Sequence, residues 1–316
     1  HLIVSAGLGY SGWPVRVGLN QVNAFYDGTQ VQIGHNNANQ WIASLDVICH
    51  ELGHGIDDHT PGGISGSGTQ EFVADTFGAA VEAFANEPAP FDVPDFTVGE
   101  QINLVGSGPI RNMANPSLVS GDPNCFSSAI PSTEVHAAAG PGNHWFYLVA
   151  QGSNPTNGFP TSPTCNNSTV VGLGTQNAIT IMFNAMLMKT TGFSYPKYRT
   201  ATLQAAKNLF PGSCTQFNTV KAAWDAVSVP AQAGDPTCNN GPDFALSSNP
   251  TSRSVAQGSS TTYAITETPS GGFTGSVTLS ASGLPAGATA AFSPNPTTGA
   301  STLTVTTSAT TPPATR

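Results

Sequence analysis

Charge is what this sequence has least of: Asp, Glu, Lys and Arg make up 9% of its 316 residues, where an average soluble domain carries about 25%. Basic charge is scarcer still, with 9 Lys and Arg against 18 Asp and Glu and a formal net charge of −9. A protein that grips nucleic acid by neutralising phosphates needs the opposite balance, so no nucleic-acid partner is expected. No apolar run reaches the ~18–20 residues a helix needs to cross a bilayer, so membrane insertion is not expected. The chain opens on His1 without an apolar leader, which reads as a mature or trimmed fragment. Scarce lysine beside abundant Ser, Thr, Gly and Asn points to a secreted, extracellular protein. Cysteine is limited to five residues, and in an exported chain that suggests two disulfides and one thiol left over.

What charge there is lies unevenly. Asp243, Glu267, Arg253 and Arg316 cancel within 241–316, so the whole imbalance belongs to residues 1–240. Composition shifts at the same place. Beyond Phe244 the chain is rich in Ser, Thr and Gly, with period-2 runs at Thr262–Ile265, Val277–Leu279 and Leu303–Val305, which predict an all-β sandwich over 241–316. Residues 1–240 predict an α+β domain. Val15, Val17, Val31 and Ile33 alternate on either side of an Asp27-Gly28 turn. Ile42, Leu45, Ile48, Leu52 and Ile56 recur at spacings of three and four, which predicts a helix to about Asp58, stopped by Thr60-Pro61-Gly62-Gly63. Further helices are expected over about 69–86, 176–189, 195–209 and 215–227, and a long Pro/Gly-rich loop after the second.

The first helix contains His50-Glu51-Leu52-Gly53-His54. Histidines at i and i+4 leave one helical face with Cβ atoms about 5–6 Å apart, so both rings can reach one zinc. The glutamate beside the first histidine can then serve as general base toward the attacking water. A catalytic zinc needs a third protein ligand and an open position. The next helix carries Glu71, Asp75, Gly78 and Glu82 on one stripe, beside apolar Phe72, Val73, Phe77 and Val81. A polar stripe on a buried helix needs a partner. Glu71 can complete the zinc set, and Asp75, one turn on, can accept the free N–H of a ligand histidine. Cys49 is carried away from the histidine face by the ~100° turn per residue and is expected to be a buried free thiol.

These residues resemble the thermolysin-like zinc metalloproteases, the gluzincins, in which H-E-x-x-H is followed by a helix reading like Gln70-Glu71-Phe72-Val73-Ala74-Asp75. The resemblance runs from about residue 10 to 230. Asn23-Ala24-Phe25-Tyr26-Asp27-Gly28 is similar to the family's substrate-binding edge strand, which implies that Asn23 and Ala24 bind a peptide backbone. Pro109–Met113 resembles the segment whose arginine holds a substrate carbonyl, here Arg111. Glu134-Val135-His136 with Gly140–Asn143 resembles the segment whose histidine supports the tetrahedral intermediate, here His136. The implied activity is endopeptidase cleavage of protein or peptide substrates, with Glu51 and His136 catalytic. Val47, Val98 and Ile110 map near the primed-side pocket, implying a cut before bulky apolar residues. The resemblance also implies calcium on Asp46, Glu82, Asp95 and Glu100, oxygen ligands suited to a hard cation. One family ligand falls on Thr97, which argues for one calcium rather than a close pair.

The sequence departs from the family in three places. The loop between His54 and Glu71 holds no tyrosine to assist the oxyanion. The aspartate that orients the family's catalytic histidine is missing, with Glu134 as a substitute. The sequence begins just before the edge strand, so the family's N-terminal β-rich portion was either cleaved away or lies outside this sequence. For the cysteines, Cys125 with Cys165 and Cys214 with Cys238 are the expected pairs, although spacing alone does not fix them. Phe244–Ser247, Gly272–Ser280 and Gly283–Thr289 resemble bacterial immunoglobulin-like domains, implying a truncated module that binds a surface polymer or acts as a spacer. Two rivals stand beside the endopeptidase: a non-catalytic secreted binding protein built on a trimmed protease domain, and an aminopeptidase with the same helix pair.

Overall fold

Three short strands open the fold: β1 (Val15–Val17), β2 (Ala24–Tyr26) and β3 (Val31–Ile33). They form one sheet in the order β1-β3-β2, with β1 parallel and β2 antiparallel to β3, so among the described residues β2 is an edge strand. This is a computed structural model of the chain, and it describes residues 12–104, 106, 108–239 and 241–313. Contacts divide the described residues into two units, one running to 211 and resuming over 215–237, the other made of 212–214 and the residues from 238 on.

Helix α1 (Leu45–His59) begins after Ser44 and stops at Thr60, where Gly62 and Gly63 take positive φ. It starts three residues later than Ile42. Ile42 keeps the helical spacing but is a loop residue, buried with Val31, Ile33 and Val47. Helix α2 (Gln70–Ala85) follows, closed by Asn86 in the left-handed conformation. The two helices cross at contact distance. A Cβ on Gly53 would lie 2.8 Å from Ala74 Cα, and one on Gly78 would lie 2.8 Å from the Asp46 carbonyl. Glycine at both positions is what lets the two backbones meet.

A two-residue ladder, β4 (Thr97–Val98) with β5 (Arg111–Asn112), pairs Val98 with Arg111. Helix α3 (Gly140–Ala150) lies within the stretch expected to be loop. Every residue from Gly140 to Ala150 is buried, so no polar face gives it a helical period to read. Three more helices complete the unit: α4 (Thr175–Met186), α5 (Tyr195–Leu209) and α6 (Thr215–Ala226). Trp224 of α6 stacks on Trp145 of α3 at 4.4 Å between centroids, both fully buried. Cys125 is bonded to Cys165 and Cys214 to Cys238, and Cys49 is a buried free thiol. Among the described residues no helix is long and apolar enough to cross a membrane.

The second unit is one antiparallel sheet of β6 (Asp243–Asn249), β7 (Ser260–Ser270), β8 (Ala288–Ser293) and β9 (Ala300–Thr307), in the order β6-β7-β9-β8. Val277–Leu279, expected as a strand, contributes only a bridge from Val277 to Thr297. The described residues therefore form a four-stranded sheet. The sandwich expected from the sequence is finer than that.

Candidate metal and catalytic site

His50 and His54 leave the same face of α1, their rings 4.8 Å apart between centroids. The close crossing brings Glu71, in the first turn of α2, to both. His50 Nε2 lies 3.4 Å from Glu71 Oε2 and His54 Nε2 lies 3.5 Å from Glu71 Oε1. One ligand atom from each of the three residues falls within 4.8 Å of the others. Two imidazole nitrogens and a carboxylate oxygen converging in this way fit a tetrahedral zinc with one position left open.

The surrounding groups hold the ligands in shape. His50 Nδ1 donates to Asp75 Oδ1 at 2.6 Å, which leaves Nε2 as the free lone pair toward Glu71. Asp75 is fully buried, and its other oxygen accepts from Asn143 Nδ2 at 2.7 Å and faces Arg111 Nε at 3.2 Å. Arg111 donates from Nη2 to Glu71 Oε2 at 3.1 Å. Burial opposes charge throughout, yet these contacts override it at several groups. Asp75 and its hydrogen bond carry His50 up to about 10. Hydrogen bonding and charge from His50, then His54 and Arg111, hold Glu71 well below the usual carboxylate range. Burial and the charge of His50 push His54 down to about 4. Glu51 is raised, chiefly by burial, and it accepts from the backbone N–H of Tyr26 in β2, so the candidate base is tied to the edge strand.

His136 precedes α3 and is exposed. Its Nε2 is 3.6 Å from Glu71 Oε2, and its Nδ1 is 2.7 Å from Glu134 Oε1. Glu134 Oε2 accepts from the backbone N–H groups of His136 and Ala137 at 3.0 and 3.1 Å. The missing orienting aspartate therefore has a carboxylate in its place, two residues before the histidine. Asn23, Ala24, His50, Glu51, Arg111 and His136 all line one cleft of about 320 Å³. Val47, Val98 and Ile110 line it too, together with Ile42, Ile102 and Leu104, which the sequence reading had not picked out.

Asp46, Glu82, Asp95 and Glu100 also converge, and Asp92 joins them. Asp46, Asp92 and Glu100 form one group of facing oxygens and Glu82, Asp95 and Glu100 a second, so Glu100 is shared. The Thr97 hydroxyl lies 2.7 Å from Asp95 Oδ1 and 2.8 Å from Glu100 Oε2. Among the described residues no lysine or arginine pairs with any of the five. Both Glu82 oxygens, Asp92 Oδ1 and Glu100 Oε1 are buried without a hydrogen-bond partner. Burial and the neighbouring carboxylates raise Glu82 to about 9 and Glu100 to about 8. Orphaned hard oxygens crowded in this way fit calcium. Asp92 could have been found from its place, since it lies with Asp95 and Glu100 in one short acidic loop of an acid-poor chain. Asn143 had no such signal, because the helix that carries it shows no period.

The family model described as "Thermolysin metallopeptidase, catalytic domain" matches residues 9–58, and "Thermolysin metallopeptidase, alpha-helical domain" matches residues 63–229. The chain is 37% identical over 229 residues to the transglutaminase-activating metalloprotease of Streptomyces mobaraensis, covering 69% of this chain and 30% of that protein. It is 29% identical over 228 residues to the thermolysin of Alicyclobacillus acidocaldarius, covering 68% of this chain and 39% of that protein. The bacillolysin of Bacillus caldolyticus matches to the same extent, 29% over 228 residues. The chain thus spans between 30% and 39% of the length of these relatives.

Proposed function

Because the chain belongs to the thermolysin metallopeptidase family, we propose that it is a secreted zinc endopeptidase that cuts protein and peptide substrates before bulky apolar residues. The observation that carries this reading is the convergence of His50, His54 and Glu71 from two helices, with Glu51 beside them in the same cleft. Bound by those three residues, zinc supplies a Lewis acid that polarises the scissile carbonyl and makes water acidic enough to be deprotonated.

Every other part of the reaction falls to side chains of this chain. Glu51 takes the proton of the attacking water on its carboxylate and returns it to the leaving nitrogen. Its raised affinity for protons suits a group that must act as base and then as acid. His136 donates from Nε2 to the developing oxyanion as the doubly protonated imidazolium, with Glu134 accepting from Nδ1–H and balancing its charge. It acts without a tyrosine, since the loop over 60–69 contains none. Arg111 holds a substrate carbonyl, and Asn23 and the Ala24 carbonyl at the edge strand β2 pair with an extended peptide backbone. Ile42, Val47, Val98, Ile102, Leu104 and Ile110 give the cleft its apolar wall. Asp46, Glu82, Asp92, Asp95 and Glu100 would hold calcium between them.

Residues 1–240 form the peptidase core on this reading, and 241–316 an immunoglobulin-like module that binds a surface polymer or spaces the peptidase from one. Its four-stranded sheet supplies one face of such a module.

The test is hydrolysis of an internally quenched peptide with Leu or Phe after the cut, with and without a zinc chelator, beside Glu51→Gln. Loss in both controls is expected, and Glu51→Gln lowers kcat by about 10²–10⁴-fold with zinc retained. No cleavage by the wild-type chain carrying one zinc would overturn the endopeptidase reading in favour of a non-catalytic binding protein. Cleavage confined to free N-termini would point instead to an aminopeptidase.

A further inference from the structure

Asn143 sits in the first turn of α3, 1% exposed, and donates from Nδ2 to Asp75 Oδ2 at 2.7 Å. Asp75 spends its other oxygen on His50 Nδ1 at 2.6 Å. A chain of two short hydrogen bonds thus runs from α3 through α2 to a metal-binding imidazole on α1. A carboxylate accepts and cannot donate, so the amide must turn its NH₂ toward Asp75. That choice leaves Asn143 Oδ1 buried without a partner, an arrangement a purely structural asparagine gains nothing by keeping. The placement is enforced by packing one residue earlier. A Cβ on Gly142 would lie 2.2 Å from Phe72 Cγ, so α3 can approach α2 this closely only with glycine at 142.

We propose that Asn143 is a positioning residue for the zinc centre. It holds the Asp75 carboxylate in the orientation that fixes His50 with Nδ1 protonated and Nε2 turned to the metal. Arg111 alone does not replace it, because its Nε faces Asp75 Oδ2 at 3.2 Å without hydrogen-bond geometry and its Nη2 is committed to Glu71. The proposal rests on the zinc reading above.

The experiment is chelator competition for zinc on the full chain, comparing wild type, Asn143→Ala, the near-isosteric Asn143→Asp, Asp75→Asn and the double variant Asp75→Asn/Asn143→Ala. Phe146→Leu serves as the packing control, since it thins the same helix against Phe96 without removing a donor to Asp75. Both Asn143 variants are expected to weaken zinc about tenfold, in the range found when outer partners of a metal ligand are lost. Phe146→Leu is expected to lower Tm while leaving zinc affinity within twofold. The double variant should bind zinc no more weakly than Asp75→Asn alone, because Asn143 acts only through that carboxylate. Zinc affinity within twofold of wild type in folded Asn143 variants overturns the proposal, and so do fully additive losses in the double variant. If neither Asn143 variant folds, the residue is structural and the proposal falls. A wild-type chain that fails to take up one zinc sinks the zinc reading itself, an outcome distinct from all of these.

Discussion

Glu71 and Glu82 stand on the same helix and both are buried, yet their surroundings are opposite. Glu71 faces His50, His54 and Arg111, and they hold its carboxyl well below the usual range against burial. Glu82 faces Asp92, Asp46, Asp95 and Glu100, which with burial raise it to about 9. The first site is neutralised by the protein's own cations and keeps its shape without help. The second is a crowd of carboxyls with orphaned oxygens, which must take up protons or a cation from outside to be neutralised. A third cluster lies between these extremes. Arg199, fully buried, donates to Asp225 and Asp235 at 2.7 Å each, so a guanidinium there does the balancing that a metal would do near Glu82.

The comparison makes its largest demand at Glu71. In the chain stripped of metals, Glu71→Gln leaves Arg111 and His50 to share the single counter-charge of Asp75. That should cost about 3 kcal/mol, or roughly 6–12 °C in Tm for a domain of this size. Thermal unfolding in the presence of chelators measures it. An unchanged Tm would show that the zinc ligands are not braced by their protein partners.

Calcium withdrawal comes next. At 100 times its dissociation constant a bound cation adds about 2.7 kcal/mol, so chelating calcium alone should lower Tm by roughly 5–10 °C. Titration of the chelated chain with calcium should restore the lost Tm and count the ions held by the two overlapping groups. A Tm indifferent to calcium would remove the contrast between the two sites.

At Arg199 the charge is supplied from within, so the sensitivity should be to acid rather than to chelators. Partial burial opposes the shift, but hydrogen bonds from Lys221 and Arg199 lower the pKa of Asp225, and those from Arg199 and Thr200 lower that of Asp235. A lowered folded-state pKa gives stability that is present above the ordinary carboxylate value near 4 and is lost as pH falls through the folded value. Arg199→Met should cost about 2 kcal/mol at neutral pH, at the low end for a broken pair because both carboxylates keep access to solvent. It should also flatten the decline in Tm below about pH 4. A variant as acid-sensitive as wild type would mean that other carboxylates set that decline.

How much of this was legible in the sequence depends on whether a residue's signal is local. His50, Glu51 and His54 declare themselves by spacing on one helix, and Glu71 with Asp75 by a polar stripe on the next. Asn143 and helix α3 did not show. A helix buried on every side has no polar face, and Gly140-Pro141-Gly142 reads as a turn until Phe72 is seen against it. Asp92 carries no signal taken by itself. What marks it is company, and the convergence of a loop with α1 and α2 is a tertiary fact. Ile42 misled in the other direction, its helical spacing belonging to a residue that closes the sheet's core from a loop. The same limit applies beyond residue 241, where alternation gives strands but not the layers they form.

The smallest effect is the most discriminating, because its sign is reversed. Glu82→Gln removes one of five crowded carboxyl groups and keeps the side chain's shape. In the metal-free chain at neutral pH the Glu82 carboxyl must take up a proton to be buried there, a cost the amide does not carry, and the gain is partly offset because the amide's own N–H and C=O groups find few partners. The net should be a stabilisation of about 1 kcal/mol, a few degrees in Tm, where the same exchange at Glu71 destabilises. With calcium present the order inverts. The variant has lost a ligand, so it should respond less to added calcium and unfold below the wild type. Tm of both proteins in chelator and in saturating calcium gives the four values required. If Glu82→Gln destabilises the chain in chelator as well, the cluster is held together without a cation and the distinction between the two glutamates fails.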